Sequence, residues 1–143
     1  NIITDRFLAI GAGEDGPTHQ PVELAALYRA MPNMQYIRPA DSEEVAGAWD
    51  AAITYAGPSI ISVSRHALPQ LTGLTKRSEV RRGAYVLREE ADADVTLISV
   101  GAELSFAVNV ADALKSSNPR IKARVVSFPS HVLFKNSLNG WSA

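Results

Sequence analysis

The chain has 143 residues, of which 46% are hydrophobic and 20% are charged, and its 14 basic and 15 acidic side chains nearly cancel. This is the balance of an ordinary globular protein, without the basic surface that nucleic acid or an anionic membrane attracts. There is no cysteine, which excludes disulfides, thiolate metal sites and cysteine nucleophiles, and no apolar run is long enough to span a membrane. We therefore expect a cytoplasmic protein with neither a nucleic-acid nor a membrane partner.

The first part of the chain predicts strands that alternate with helices. Residues 7–10 form an apolar run that ends in the glycine-rich loop 11–21, as a buried strand does. After a strand at 34–37, Asp41 and Glu44 have the spacing of a capping box and begin a second helix. Residues 59–64 are apolar and β-branched on consecutive positions, which is typical of a strand covered on both faces. The expected apolar faces are Leu24, Leu27, Tyr28 and Met31 on the first helix, and Val45, Trp49, Ala52 and Ile53 on the second.

The second part follows a polar segment, residues 68–82, that we interpret as a linker between two domains, 1–67 and 83–143. Strands are expected at 84–87, 95–100 and 123–128. Residues 136–143 have no period and are expected to fray, with His131 in a solvated loop. A helix begins at Gly101, and its expected apolar face is Leu104, Ala107, Val108, Ala111 and Leu114. The fold class is therefore α/β, with parallel-sheet βαβ units in three layers.

The loop 11–21, with the sequence GAGEDGPTHQP, concentrates the groups that can do chemistry. Its glycines let the backbone approach a ligand, Glu14 and Asp15 supply carboxylates, and the loop leads into a helix N-terminus. His19 supplies a side chain of the type that acts as a base or a donor near neutral pH. The acidic pair would repel a diphosphate, which disfavours a dinucleotide cradle despite the GxGxxG spacing. The alternative is structural: the carboxylates cap the helix and the histidine is simply hydrogen-bonded.

Motifs along most of the chain resemble the transketolase family, including the dihydroxyacetone synthases. They are GEDGPTHQP at 13–21, RPAD at 38–41, the Ser-Arg pair at 64–65, GAYVL at 83–87, VTLISVGAE at 95–103 and ARVVSFPS at 123–130. In this order they cover about residues 10–134. The resemblance implies a partial pyrimidine-binding domain over 1–67 and a partial C-terminal domain over 83–143.

The resemblance implies a reaction and its cofactors. Transketolases use thiamine diphosphate and a divalent metal, Mg²⁺ or Ca²⁺, to move a two-carbon ketol unit between sugar phosphates, or onto formaldehyde in the dihydroxyacetone synthases. By motif match, Asp15 and His19 would be the catalytic residues. Asp15 would hydrogen-bond a hydroxyl of the donor sugar, and His19 would contact the oxygens on the carbonyl side and shuttle a proton there.

The same resemblance implies binding residues. Arg65 would clamp the phosphate of the acceptor with its planar fork, although a surface ion pair is the alternative for this side chain. His66 stands beside it in the substrate site, where the family usually has Gln, and a structural role is its alternative. Gly13 and Glu14 would lie against the cofactor.

Two departures from the family pattern limit what the chain is expected to do alone. Phe7, Leu8 and Ala9 replace a His-Asp-Ser sequence, so we expect residues 1–9 not to be the family's own and one phosphate contact to be lost. The family's metal and diphosphate domain and its activating glutamate lie upstream of Asn1, and its C-terminal domain extends past Ala143. We therefore expect a fragment that has no metal site, binds thiamine diphosphate weakly and does not turn over alone.

The expected partners are sugar phosphates and a second copy of the chain, either as a homodimer or by association through exposed sheet surface. A dihydroxyacetone synthase-like protein would be peroxisomal rather than cytoplasmic. A hypothesis of another class remains beside this one: a non-catalytic binding or interaction protein that reuses the transketolase scaffold.

Overall fold

A computed structural model describes residues 2–4, 23–64 and 66–139, which form two three-stranded sheets with helices packed against them. The strands are β1 (Ile2–Thr4), β2 (Gln35–Ile37), β3 (Ser59–Ser62), β4 (Tyr85–Arg88), β5 (Val95–Ser99) and β6 (Ala123–Ser127). The α-helices are α1 (Leu24–Ala30), α2 (Ser42–Thr54), α3 (Leu104–Ser117) and α4 (His131–Asn139), with 3₁₀ helices at Arg77–Arg82 and Gly101–Glu103. None of the helices in these ranges is long and apolar enough to cross a membrane.

The first sheet is parallel, in the order β1-β3-β2. All four residues of β3 are buried, and since successive side chains point to opposite faces, both faces of this strand are covered. This confirms the prediction from its β-branched run. The strand predicted at 7–10 lies outside the described residues.

The buried faces of the first two helices differ from the predicted stripes. No residue of α1 is buried. On α2, Trp49 and Ile53 are exposed, and the face turned inward carries Glu44, Gly47, Ala48, Ala51 and Ala52. Of the predicted stripe, Ala52 is buried, but the prediction for Trp49 and Ile53 was wrong. The small residues on the buried face admit another helix: a Cβ at Gly47 would lie 2.3 Å from the carbonyl oxygen of Arg77.

That close neighbour is the 3₁₀ helix Arg77–Arg82, which lies inside the predicted linker. Its Val80 is fully buried in the core cluster that contains Ile37 and Ile61. The segment that appears polar in sequence is therefore packed against α2 over its second half. The three arginines of this 3₁₀ helix are paired with acidic side chains: Arg77 with Glu43, Arg81 with Asp50 and Arg82 with Glu79.

The second sheet is mixed, in the order β4-β6-β5. β5 is parallel to β6, as predicted, but β4 is antiparallel to it. Only the acidic turn of residues 89–94 separates β4 from β5, which is too short for the crossover that a parallel pair in one sheet needs. The helix α3 covers one face of this sheet with the predicted residues Leu104, Val108 and Ala111, packed near Val125.

The end of the described chain is helical to Asn139, so the expectation that the chain frays from residue 136 is wrong as far as residue 139, and residues 140–143 lie outside the described residues. Tertiary contacts hold α4 in place. The ring of Phe134 meets Phe128 edge-on at 5.2 Å, and the chain folds back tightly because Gly83, at φ 77°, accepts from the Ser130 N–H. His131 is exposed on the first turn of this helix rather than in a loop.

Candidate functional site

A cleft lies at the carboxyl edge of the first sheet. Because β2 and β3 are parallel, the described residues that follow them, 38–41 in one case and 63, 64 and 66 in the other, emerge at the same edge. They enclose a cavity of about 220 Å³ together with the segment that includes Leu68 and Gln70. The cavity is lined by Pro39, Ala40, Asp41, Ser42, Val45, Val63, Ser64, His66, Leu68 and Gln70. Two sequence motifs that are far apart in the chain thus share one cleft.

One of the predicted site residues is described by the structure. His66 lines the cleft, is exposed, and donates its backbone N–H to the Ser64 hydroxyl oxygen at 3.1 Å. The others lie outside the described residues, and their placement stays a prediction: Gly13, Glu14, Asp15, His19 and Arg65.

Asp41 forms one wall of the cleft and is nearly fully buried. Its Oδ1 accepts from the Glu44 N–H at 3.1 Å, which confirms the predicted N-cap of α2. Its Oδ2 accepts from the Thr75 hydroxyl at 2.6 Å and the Leu71 N–H at 3.2 Å. The same carboxylate therefore caps the helix and holds the segment around residues 70–75 against it.

Gln70 closes the helix N-terminus from the other side. Its side-chain amide donates to Asp41 Oδ2 at 2.8 Å, and its Oε1 accepts from the Ser42 hydroxyl at 2.6 Å. The donors that a helix N-terminus can present to an anion are here partly engaged by the protein's own side chains.

Glu44 is fully buried behind the cleft. Its Oε2 accepts from the Ala40 N–H at 2.8 Å, one residue before the N-cap to which the second arm of a capping box ordinarily returns. Its Oε1 accepts from the Tyr85 hydroxyl at 2.6 Å and the Ser127 hydroxyl at 2.5 Å. Burial raises the pKa of the Glu44 carboxyl, an effect that these three donors partly oppose.

The turn 38–41 is also tied to the second sheet through Arg38. Its N–H donates to the carbonyl oxygen of Pro129 at 2.8 Å, and its Nη2 lies 3.7 Å from Glu103 Oε2. The guanidinium is mostly buried while the Glu103 side chain is nearly half exposed. This wall of the cleft is thus held by both halves of the molecule.

The described part of the cleft does not fit a metal–diphosphate group. No set of three His, Asp or Glu side chains within 23–64 and 66–139 is placed to hold a metal ion. Asp41 and Glu44, the buried acids here, already accept hydrogen bonds on both of their oxygens. What these residues can do is shape and position a cleft.

Sequence reasoning missed the part that Glu44 plays. The capping-box spacing identified it as a helix-start residue, but its hydroxyl partners lie 41 and 83 residues away and have no local signal. The small residues Gly47, Ala48 and Ala51, spaced from Glu44 at three, four and seven positions, could have indicated which helix face is buried.

Comparisons with known proteins agree with these motifs. Residues 2–70 match the model of the transketolase pyrimidine binding domain, and residues 83–142 match that of the transketolase-like C-terminal domain. The first match begins at residue 2, so the expectation that residues 1–9 are foreign to the family is wrong.

Individual relatives extend the likeness over nearly the whole chain. Dihydroxyacetone synthase of Candida boidinii is 44% identical over 133 residues, which are 93% of this chain and 19% of that protein. The solved structure of transketolase from Leishmania mexicana matches with a TM-score of 0.85 at 41% identity, covering 97% of this chain and 20% of the other. A structure titled a split gene transketolase, inactive β4 tetramer, has a TM-score of 0.70 at 33% identity and covers 80% and 37%. The chain spans about a fifth of the length of the curated relatives that it matches.

Proposed function

The chain belongs to the transketolase family, and we propose that the protein containing it transfers a two-carbon ketol unit between sugar phosphates with thiamine diphosphate and a divalent metal. The observation that carries this proposal is the order of the two domain matches, 2–70 and 83–142, on one chain. Fold likeness alone would not support it, because one fold hosts many functions. The support comes from motif residues at the edge where parallel sheets bind ligands.

In this proposal the loop 11–21 and the cleft contact different parts of the substrates. Asp15 and His19 contact hydroxyl and carbonyl-side oxygens of the donor, while Arg65 binds the acceptor phosphate with His66 beside it. The position of His66 on the cleft supports a substrate contact there. Gly13 and Glu14 face the cofactor. The diphosphate and the metal are bound by residues other than those of the described cleft, which has no free acid for them.

The chain alone is therefore proposed to lack turnover, and to act with further protein in a homodimer or a larger assembly. The structure titled a split gene transketolase, inactive β4 tetramer, supports this view. We propose the cytoplasm as its compartment, with the peroxisome as the alternative for a dihydroxyacetone synthase-like protein.

A second candidate function has one observation in its favour. The outer face of the second sheet exposes Val86 and Ile98, which with Val126, Phe128 and Phe134 line an apolar cavity of about 250 Å³. Exposed apolar patches mark interaction surfaces. A binding protein that reuses the scaffold would keep this face and need no ketol transfer.

A chimaera separates the two functions. Residues 1–143 replace the matching segment of the Candida boidinii dihydroxyacetone synthase, and the product is assayed with a ketose phosphate donor and either an aldose phosphate or formaldehyde. We expect thiamine-dependent transfer by the chimaera and none by the isolated chain. A folded, correctly assembled chimaera without activity would contradict the proposal and favour the binding protein.

The role of Arg65 is tested in the same chimaera. Arg65→Ala is expected to raise KM for the aldose phosphate by about tenfold or more, since a charge-assisted contact is lost, and to leave KM for formaldehyde unchanged. Arg81→Ala is the matched control, because Arg81 already pairs with Asp50 on the surface. Equal effects on both acceptors would show that Arg65 does not bind the phosphate.

A further inference from the structure

A single buried carboxylate connects the two sheets to the cleft. Glu44 lies on the first turn of α2, Tyr85 on β4 and Ser127 on β6, and the two hydroxyls that meet its Oε1 come from residues in register across the second sheet. Its Oε2 accepts from Ala40, which lines the cleft. Three segments that are distant in sequence therefore end on the two oxygens of one planar group.

This cluster is more buried than the Arg38–Glu103 pair, the side-chain ion pair across the same joint. Glu44 and Ser127 are fully buried and Tyr85 is 7% exposed, whereas the Arg38–Glu103 pair reaches solvent. A buried donor that loses its acceptor incurs its whole desolvation penalty. The three hydrogen bonds to Glu44 are therefore costly to break or misalign, and they constrain the orientation of its carboxyl group. If β4 and β6 move, the carboxyl group must turn with them, and the acceptor of the Ala40 N–H moves as well.

We propose that Glu44, Tyr85 and Ser127 form a latch that sets the position of the cleft turn 38–41 relative to the second sheet. Glu44 is then a positioning residue for the cleft, acting through the Ala40 N–H. The latch depends on contacts within the described chain, and it operates whichever ligand the cleft binds.

Amide hydrogen exchange of the 143-residue chain, followed by NMR, measures the latch at the place where it acts. The diagnostic amide is that of Ala40, and the amides of the central strands β3 and β6 report general stability. Tyr85→Phe and Ser127→Ala each remove one hydroxyl, and each is expected to speed exchange at Ala40 at least tenfold more than in the central strands. Tyr55→Phe is the matched control, since it removes an exposed hydroxyl bonded to the Asn33 carbonyl, and we expect no change.

Two substitutions at Glu44 distinguish the effect of its hydrogen bonds from the effect of its side-chain volume. Glu44→Gln can keep its oxygen on the Ala40 N–H while its amide nitrogen donates to the two hydroxyls, which can accept, and it is expected to preserve most of the protection at Ala40. Glu44→Met fills the space without these bonds and is expected to lose it. Glu43→Gln, on the exposed neighbour, is the control.

Exchange that accelerates equally at Ala40 and in the central strands would overturn the proposal, because the cluster would then contribute only general stability. The same holds if Tyr55→Phe acts like Tyr85→Phe. Should Glu44→Met fail to fold, the two hydroxyl variants decide the question by themselves.

Discussion

Gly47 gives the sharpest test of how the chain is packed around the cleft. It lies in the middle of α2, where Ala in place of Gly ordinarily stabilises a helix by about 1 kcal/mol. Here a Cβ would lie 2.3 Å from the Arg77 carbonyl oxygen and 2.7 Å from Val80 Cγ2. The first of these atoms is backbone, so α2 and the 3₁₀ helix must separate by roughly an ångström to reach an ordinary contact distance.

The expected sign of Gly47→Ala is therefore reversed. Overpacking typically costs about 1–3 kcal/mol, and a backbone contact at the joint of two elements places this one at the upper end. Subtracting the helix-propensity gain of about 1 kcal/mol leaves a net loss of roughly 2 kcal/mol.

Urea denaturation followed by circular dichroism measures this loss as a lower midpoint at unchanged slope. Ala113→Gly, at an exposed position of α3, is the control that measures the propensity difference alone. An unchanged or higher midpoint for Gly47→Ala would refute the close approach of the two helices.

Three further predictions concern the charged groups around the same joint. Asp41→Ala removes the α2 cap and three other hydrogen bonds, so we expect a loss of about 2 kcal/mol in urea and faster proteolysis near residues 70–77. Because burial raises the pKa of Glu44 above its ordinary 4.5, the folded chain binds that proton more tightly than the unfolded chain does. The stabilisation that this proton provides is complete below pH 4.5 and is lost as the pH rises through the folded-state pKa of Glu44. The free energy of unfolding of wild type should therefore fall relative to that of Glu44→Gln over this pH range. A difference between the two proteins that does not change with pH would contradict the prediction. Arg81→Ala breaks an exposed pair with Asp50, and its small effect should vanish in about 1 M salt.

Strands β2 to β6 and the limits of α2 and α3 were predictable from the sequence because they depend on local pattern, whereas β1, α4 and the 3₁₀ helix at Arg77–Arg82 were not predicted. Consecutive β-branched residues predict a doubly covered strand at 59–64, of which Ser59–Ser62 is observed, and the Asp41–Glu44 spacing predicts the cap of α2. The face of α3 was also predictable, since its apolar residues Leu104, Val108 and Ala111 repeat at helical spacing and all three are buried.

The errors share a different physical origin. The buried face of α2 depends on what packs against it. The 3₁₀ helix packs against the small residues around Gly47, and the larger Trp49 and Ile53 are left exposed. The direction of β4 depends on the length of the connection to β5. α4 persists to Asn139 because Phe134 has Phe128 to pack against. In each case the deciding factor lies outside the element whose periodicity gave the prediction, whether it is a distant helix, a short turn or a nearby phenylalanine.

In the candidate site, too, the local motifs could be seen in the sequence, but the hydrogen-bond partners that come from distant parts of the chain could not. The roles of Asp15, His19 and Arg65 stay predictions, while the acids that the structure buries at the cleft, Asp41 and Glu44, accept hydrogen bonds from the protein itself. An acid whose oxygens all accept from the fold cannot bind a metal or take a substrate proton without releasing a donor into a buried space. Substitutions at these two positions should therefore change the shape of the cleft, whereas substitutions at Asp15, His19 and Arg65 should change its chemistry.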